Sequence, residues 1–160
     1  MVTRNRAKWT TLRIYLINFV LVLVLVSNAS AVRREWDAGG GTNELWSTAA
    51  NWSDDTVPII TEDANINKAD TNSLIDSTVT AVCNTLIVGN SKKTCYLNMT
   101  GGTLASSSNL TIGSTTDSNG VFKMSSGTVR TIGADARLWI GMGVNTTPPP
   151  PNKAYGTFIM

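Results

Sequence analysis

The sequence predicts an all-β fold, a right-handed parallel β-helix with coils of about 25 residues and a tryptophan-rich amino-terminal cap, and three observations carry this reading. The first is repetition. Residues 96–113 recur as 121–129 followed by 137–141, and a third copy opens at residue 157. Met99 to Met124 and Gly102 to Gly127 are both 25 positions, Gly89 to Gly113 is 24 and Ile112 to Ile140 is 28, so the unit is a coil of nearly constant length with one tolerant corner. A period between about 20 and 50 residues is the signature of a solenoid or array.

The second observation is alternation. Apolar residues take every second place at Leu97 and Met99, Phe122 and Met124, Phe158 and Met160, and again at Leu86 and Val88, Leu110 and Ile112, Leu138 and Ile140. A period of two with Gly, Asn and Ser between the runs reads as strand and turn. The third is the want of any helical pattern: after residue 31 no stretch places apolar residues at i, i+3, i+4 and i+7 for three turns. Coils of this length with two or three short strands suit a parallel β-helix, in which like residues stack on like between rungs. Met99 is then expected over Met124 and Met160, and Ile112 over Ile140. The right hand follows from the general rule for parallel crossovers, and a β-sandwich is the alternative fold.

Residues 1–31 are read as a leader and not as fold. Arg4, Arg6, Lys8 and Arg13 precede a 13-residue apolar run at 14–26, and Ala29 and Ala31 form an A-x-A cleavage site. That order is a secretory signal peptide, cleaved after Ala31, and the run is short for a membrane span of about 20 residues. An uncleaved anchor is the alternative. Without the leader, nine Lys and Arg face eleven Asp and Glu, so the formal charge of +2 belongs to the leader and nucleic acid is not an expected partner.

Residues 32–60 are expected to cap the solenoid. Trp36, Trp46 and Trp52, three of the four tryptophans beyond the leader, fall within 17 positions around a glycine turn. Large aromatics can close an end that has no preceding coil, and sugar stacking on exposed indoles is the competing role. Thr48, Asn51 and Ser53 fit ordinary turns. From residue 61 to 160 come the repeats, with early strands at 63–67, 73–76 and 78–82, rich in Thr, Ile and Val as strands are. Between Gly141 and Gly156 the second repeat carries eight extra residues around Pro148–Pro151, which must leave the sheet because proline donates no ladder hydrogen bond. Met160 aligns with Met99 and Met124, so residues 1–160 are expected to be part of a longer repeat protein, and residues 32–160 alone to aggregate or pair end to end.

The run from Trp36-Asp-Ala-Gly-Gly-Gly through Leu45-Trp-Ser-Thr-Ala-Ala-Asn-Trp-Ser, the Val57-Pro58 turn and the Gly-Gly-Thr-Leu and Asn-Leu-Thr-Ile-Gly repeats resembles exported β-helical proteins of bacteria. These include proteins with autotransporter-associated β-strand repeats and surface proteins tagged with PEP-CTERM or dockerin segments. The resemblance covers nearly all of 32–160 and implies a secreted or cell-surface protein with a structural or adhesive role. Residues 32–160 show no barrel, dockerin or sorting tail.

The chain has no histidine, which excludes Ser-His-Asp and Cys-His catalysis and the common zinc ligand sets within these residues. Cys83 and Cys95 are the only cysteines, and the spacing leaves two arrangements open, one disulfide or two separate thiols. Polysaccharide lyases and hydrolases use clustered carboxylates, often with calcium, but the repeats proper, from residue 96 on, hold only Asp117 and Asp135, both in turn contexts. Asp54, Asp55, Glu62 and Asp63 are the candidates for a structural calcium near the cap. Trp139 with Arg137, expected outward over Thr111, is the candidate carbohydrate platform, and Lys123 is expected between Asn98 and Ile159. Asn51, Asn98, Asn109 and Asn145 begin glycosylation triplets of a kind that arise by chance in so Asn- and Thr-rich a chain. No catalytic residue, metal or cofactor is expected. The function expected is a non-catalytic surface protein whose partners are extracellular polysaccharide or other surface proteins. A polysaccharide-active enzyme with its site in further coils, or a carbohydrate-binding module, is the alternative.

Overall fold

The computed structural model describes residues 30–91, 93–115, 117–141 and 155–160. The leader up to residue 29 and the insert around Pro148–Pro151 therefore lie outside the described residues.

Among the described residues ten strands follow one another: β1 (Arg33–Glu35), β2 (Asp63–Ile66), β3 (Asn72–Ile75), β4 (Thr80–Cys83), β5 (Leu86–Val88), β6 (Thr94–Ser106), β7 (Leu110–Ile112), β8 (Asn119–Thr131), β9 (Leu138–Ile140) and β10 (Tyr155–Ile159). The pairings among these ten strands are all parallel, and an isolated antiparallel bridge joins Trp36 to Trp52. One sheet runs β1-β2-β5-β7-β9 and the other β10-β8-β6-β3, with β4 also on β6. The chain is thus a β-solenoid of about three turns with about 25 residues per turn, and no α-helix occurs among the described residues.

The stacking follows the repeat. Ile75 pairs with Met99 and Met99 with Met124, Leu97 with Phe122 and Phe122 with Phe158, and Leu86, Leu110 and Leu138 form one column while Val88, Ile112 and Ile140 form the next. Ile75, Leu97, Met99, Phe122, Leu86, Val88 and Ile112 are fully buried. Each such side chain stabilises the coil by about 1.5–3 kcal/mol through removal of apolar surface from water, so the alternation in sequence becomes the axial core. The Phe122 and Phe158 rings meet edge to face at 5.1 Å.

One expectation is refined. The first alternating segment of each unit, expected to be short, is a 13-residue strand, β6 or β8, that continues through a glycine bend. Gly102 sits at φ 69 and Gly127 at φ 108. A Cβ on Gly102 would lie 2.3 Å from the carbonyl oxygens of Asp76 and Val79. The register slips between Met99 and Thr103 at this bend, and that divides β6 into a half that pairs with β3 and a half that pairs with β4. Glycine makes the corner because only it turns left-handed with a neighbouring coil this close.

The tryptophans close the amino-terminal end. Trp36, Trp46 and Trp52 are 2, 1 and 0 % exposed, and Trp52 meets Trp36 at 5.2 Å and Trp46 at 4.7 Å, both edge-on. Trp52 Nε1 donates to the Trp46 carbonyl at 2.8 Å. Leu45 bridges to Leu74 in parallel, and Trp46 N and Glu44 O bond the Leu74 backbone, so the edge of β3 is covered. Indoles this deep have no face for a sugar, which leaves capping as their role.

Asn51 corrects the reading of an ordinary turn residue. It is fully buried, its Nδ2 donates to the carbonyls of Asn43 and Leu45, and its Oδ1 accepts from Gly40 N. Its own carbonyl accepts from Asp37 N and Ala38 N. One side chain therefore ties the glycine turn to the segment that covers β3. The Asn51 glycosylation triplet is closed for the same reason, because Nδ2 is engaged inside the cap.

Candidate functional site

Trp139 is turned outward by arithmetic. Leu138 and Ile140 continue the inward columns of Leu110 and Ile112, so the residue between them faces away and pairs with Thr111. The indole is 36 % exposed. Arg137 precedes β9, is held at its backbone by a hydrogen bond from its N to Asn109 Oδ1 at 3.0 Å, and places its guanidinium 5.7 Å from the Trp139 ring centroid. A cation over an indole is worth about 0.5–1 kcal/mol at an exposed site. The pair thus presents an aromatic edge and a bank of N–H donors on one exposed surface, the elements a carbohydrate platform uses.

On the other sheet Lys123 pairs with Asn98 on one side and Ile159 on the other, and its ammonium lies 5.6 Å from the Tyr96 ring centroid. A cleft of about 340 Å³ opens beside it, lined by Asn98, Met99, Lys123, Met124 and Met160 among others. Asn98 Nδ2 reaches Asn72 Oδ1 at 3.4 Å, so the polar outer column begins in the first coil.

Three of the four carboxylates considered for calcium, Asp54, Glu62 and Asp63, are held by other partners. Arg34 binds Glu62 at 2.6 Å and Asp54 at 3.3 Å, and Asp63 Oδ1 accepts from Asn84 Nδ2 at 2.9 Å and Thr85 N at 3.1 Å. Among the described residues no group of three or more His, Cys, Asp or Glu could hold a metal ion. What sequence reasoning missed is Arg34, whose position in a short strand gives no sign that its side chain gathers the acids of two distant loops.

Glu62 is held below the usual carboxylate range, first by the Arg34 hydrogen bond and then by one from Ile59 N, against burial, which acts the other way. A depressed acid stabilises the fold above its unfolded value, about pH 4.3, and that stability is lost as pH falls through the folded value. Acid titration followed by circular dichroism is expected to show this loss in the native chain and a flatter profile in Glu62→Gln. Equal slopes in the two proteins would show that the pair does not set the acid limit.

Cys83, at the end of β4, and Cys95, at the start of β6, are buried and free. Burial pushes the Cys83 thiol up to about 12 and the Cys95 thiol to about 11. Since the thiolate is the reactive form, neither is expected to react with a maleimide at pH 7.5 until the chain is unfolded in urea. Labelling of the folded protein would contradict this burial.

Among the described residues no helix is long and apolar enough to cross a membrane. Comparison with known proteins finds no matching family model, curated protein or solved structure.

Proposed function

We propose that this chain is an exported structural or adhesive β-helix protein of the cell surface, acting as a scaffold and not as a catalyst. The observation that carries the reading is the use the coils make of their polar side chains. Asn98 bonds Asn72, Asn119 bonds Thr94, Ser107 bonds Asn84 and Thr115 bonds the Asn90 carbonyl, each across about one turn of the solenoid. Polar groups committed to neighbouring coils stiffen a rod and are not poised for chemistry. The signal-peptide pattern and the resemblance to autotransporter-associated repeat proteins favour export.

Expression of the full chain in a bacterial host tests this. The protein is expected on the cell surface or in the medium with Val32 as its first residue. Recovery from the cytosol with residues 1–31 intact would overturn it, and cleavage of pectin or alginate by the purified protein would move it to the enzyme class.

A second reading, a carbohydrate-binding module, is favoured by the exposed Trp139 and Arg137 pair. A glycan array with the native chain and with Trp139→Ala tests it: binding that is lost in the variant supports the platform.

A further inference from the structure

Arg137 is a fixed cation without an anion. Its backbone is held at two points on the coil before it, its N donating to Asn109 Oδ1 at 3.0 Å and its carbonyl accepting from Leu110 N at 2.9 Å. Its guanidinium lies 5.7 Å from the Trp139 ring centroid, yet it makes no ion pair among the described residues, whereas Arg34 is committed to Glu62 and Asp54. Asp135, in the turn before it, does not pair with it either. Trp139 faces outward because Leu138 and Ile140 extend the inward columns of Leu110 and Ile112, and Arg137, two positions earlier, shares that face. A further coil on β9 would lengthen these columns and leave the face outward.

A guanidinium stacked beside an indole keeps its planar fork of N–H donors for an anion, and the fork matches a carboxylate in a bidentate pair. A neutral sugar would use the indole and leave the cation unanswered. A uronic acid carries its carboxylate directly on the pyranose ring. One such residue therefore brings a C–H face to Trp139 and a carboxylate to Arg137, at the spacing the pair already holds.

We infer that the surface made by Arg137 and Trp139 selects carboxylated saccharides, with a uronic acid polymer as the ligand class. The inference rests on the carbohydrate-binding reading given above and adds to it the charge of the ligand. The indole supplies apolar contact with the ring face, and the guanidinium supplies orientation and the choice of acid over neutral sugar. An acidic peptide offers the carboxylate without the ring, so it satisfies only one member of the pair.

Isothermal titration of the full chain, held in a polyoxyethylene detergent that carries no sugar, tests it with oligogalacturonate, its neutral methyl ester and a sulfated galactan oligosaccharide. The acid is expected to bind about tenfold or more tighter than the ester at about 0.02 M salt, and the gap to close toward about 1 M as charge is screened. Arg137→Gln is expected to bring the acid down to the affinity of the ester. Arg137→Lys is expected to fall between, since an ammonium lacks the fork. Lys93→Gln removes an exposed cation just before β6 and is expected to change neither affinity. The comparison of acid with ester needs no variant, so it decides even where a variant fails to fold by circular dichroism. Equal binding of acid and ester, both lost in Trp139→Ala, would keep the carbohydrate reading and overturn this inference. Binding of none of the three probes would overturn both. Tighter binding of the sulfated probe, or acid binding that survives Arg137→Gln unchanged, would overturn the assignment of a carboxylate to Arg137.

Discussion

Trp52→Ala is expected to lower stability by about 3–5 kcal/mol, the range for truncating a large buried aromatic. Trp52 is the centre of the cap: it is fully buried, it touches both other cap indoles, and its ring N–H satisfies the Trp46 carbonyl. Each edge-on aromatic pair adds about 0.5–1.5 kcal/mol beyond its buried area. The loss reaches beyond the cap because each coil of a solenoid is stabilised by its neighbours. With its end opened, the first turn of β2 and β3 loses cover on one side. Urea unfolding followed by far-ultraviolet circular dichroism measures the effect. Trp139→Ala, an exposed indole of the same size, is the control and is expected to shift stability by less than about 0.5 kcal/mol. Equal shifts for the two variants would mean that the cap does not hold the solenoid closed.

Asn51→Asp keeps the shape and is nevertheless expected to cost at least about 3 kcal/mol at pH 7. The native Nδ2 lies 2.6 Å from the Asn43 carbonyl and 3.1 Å from the Leu45 carbonyl. A carboxylate there offers a third oxygen to two acceptors inside a fully buried site, so both donated bonds are lost and an unpaired charge is buried. Such a carboxyl is driven to stay protonated in the fold. Its pKa rises above the unfolded value of about 3.9, and the destabilisation is full above the folded value and fades as pH falls toward the unfolded one. The variant is therefore expected to lie closest to the native chain near pH 3.5 and furthest from it at pH 7. A pH-independent difference between the two proteins would show that Asn51 acts by shape alone.

The ladder was legible in the sequence because a parallel solenoid writes its register as a period. Met99 over Met124, Ile112 over Ile140, Thr111 beside Trp139 and Lys123 between Asn98 and Ile159 are all paired as the spacing requires. Trp139 could be placed outward for the same reason, since alternation decides which face a strand residue takes. The cap was legible in kind but not in detail. Three tryptophans around a glycine turn announce a closed end, yet nothing local distinguishes Asn51 from the other polar residues of that segment. Its importance comes from carbonyls at 43 and 45 that meet it only when the loop is folded.

Coil length, inward and outward columns and glycine corners could all be read from the order of the residues. These follow from period, from the two-residue alternation of a strand and from the steric freedom of glycine, all of which act within or between adjacent repeats. Which polar groups find one another is set by the folded packing. Arg34 gathers Asp54 and Glu62 across 20 and 28 positions, Asp63 turns to Asn84 and Thr85, and two cysteines 12 apart in sequence end on different strands as separate buried thiols. The Arg34 contacts join the cap to the first coil outside the repeat register, whereas Asp63 meets Asn84 and Thr85 one coil away, in the register of β2 with β5. No period encodes the Arg34 contacts, which exist only once the cap and the first coil have packed together.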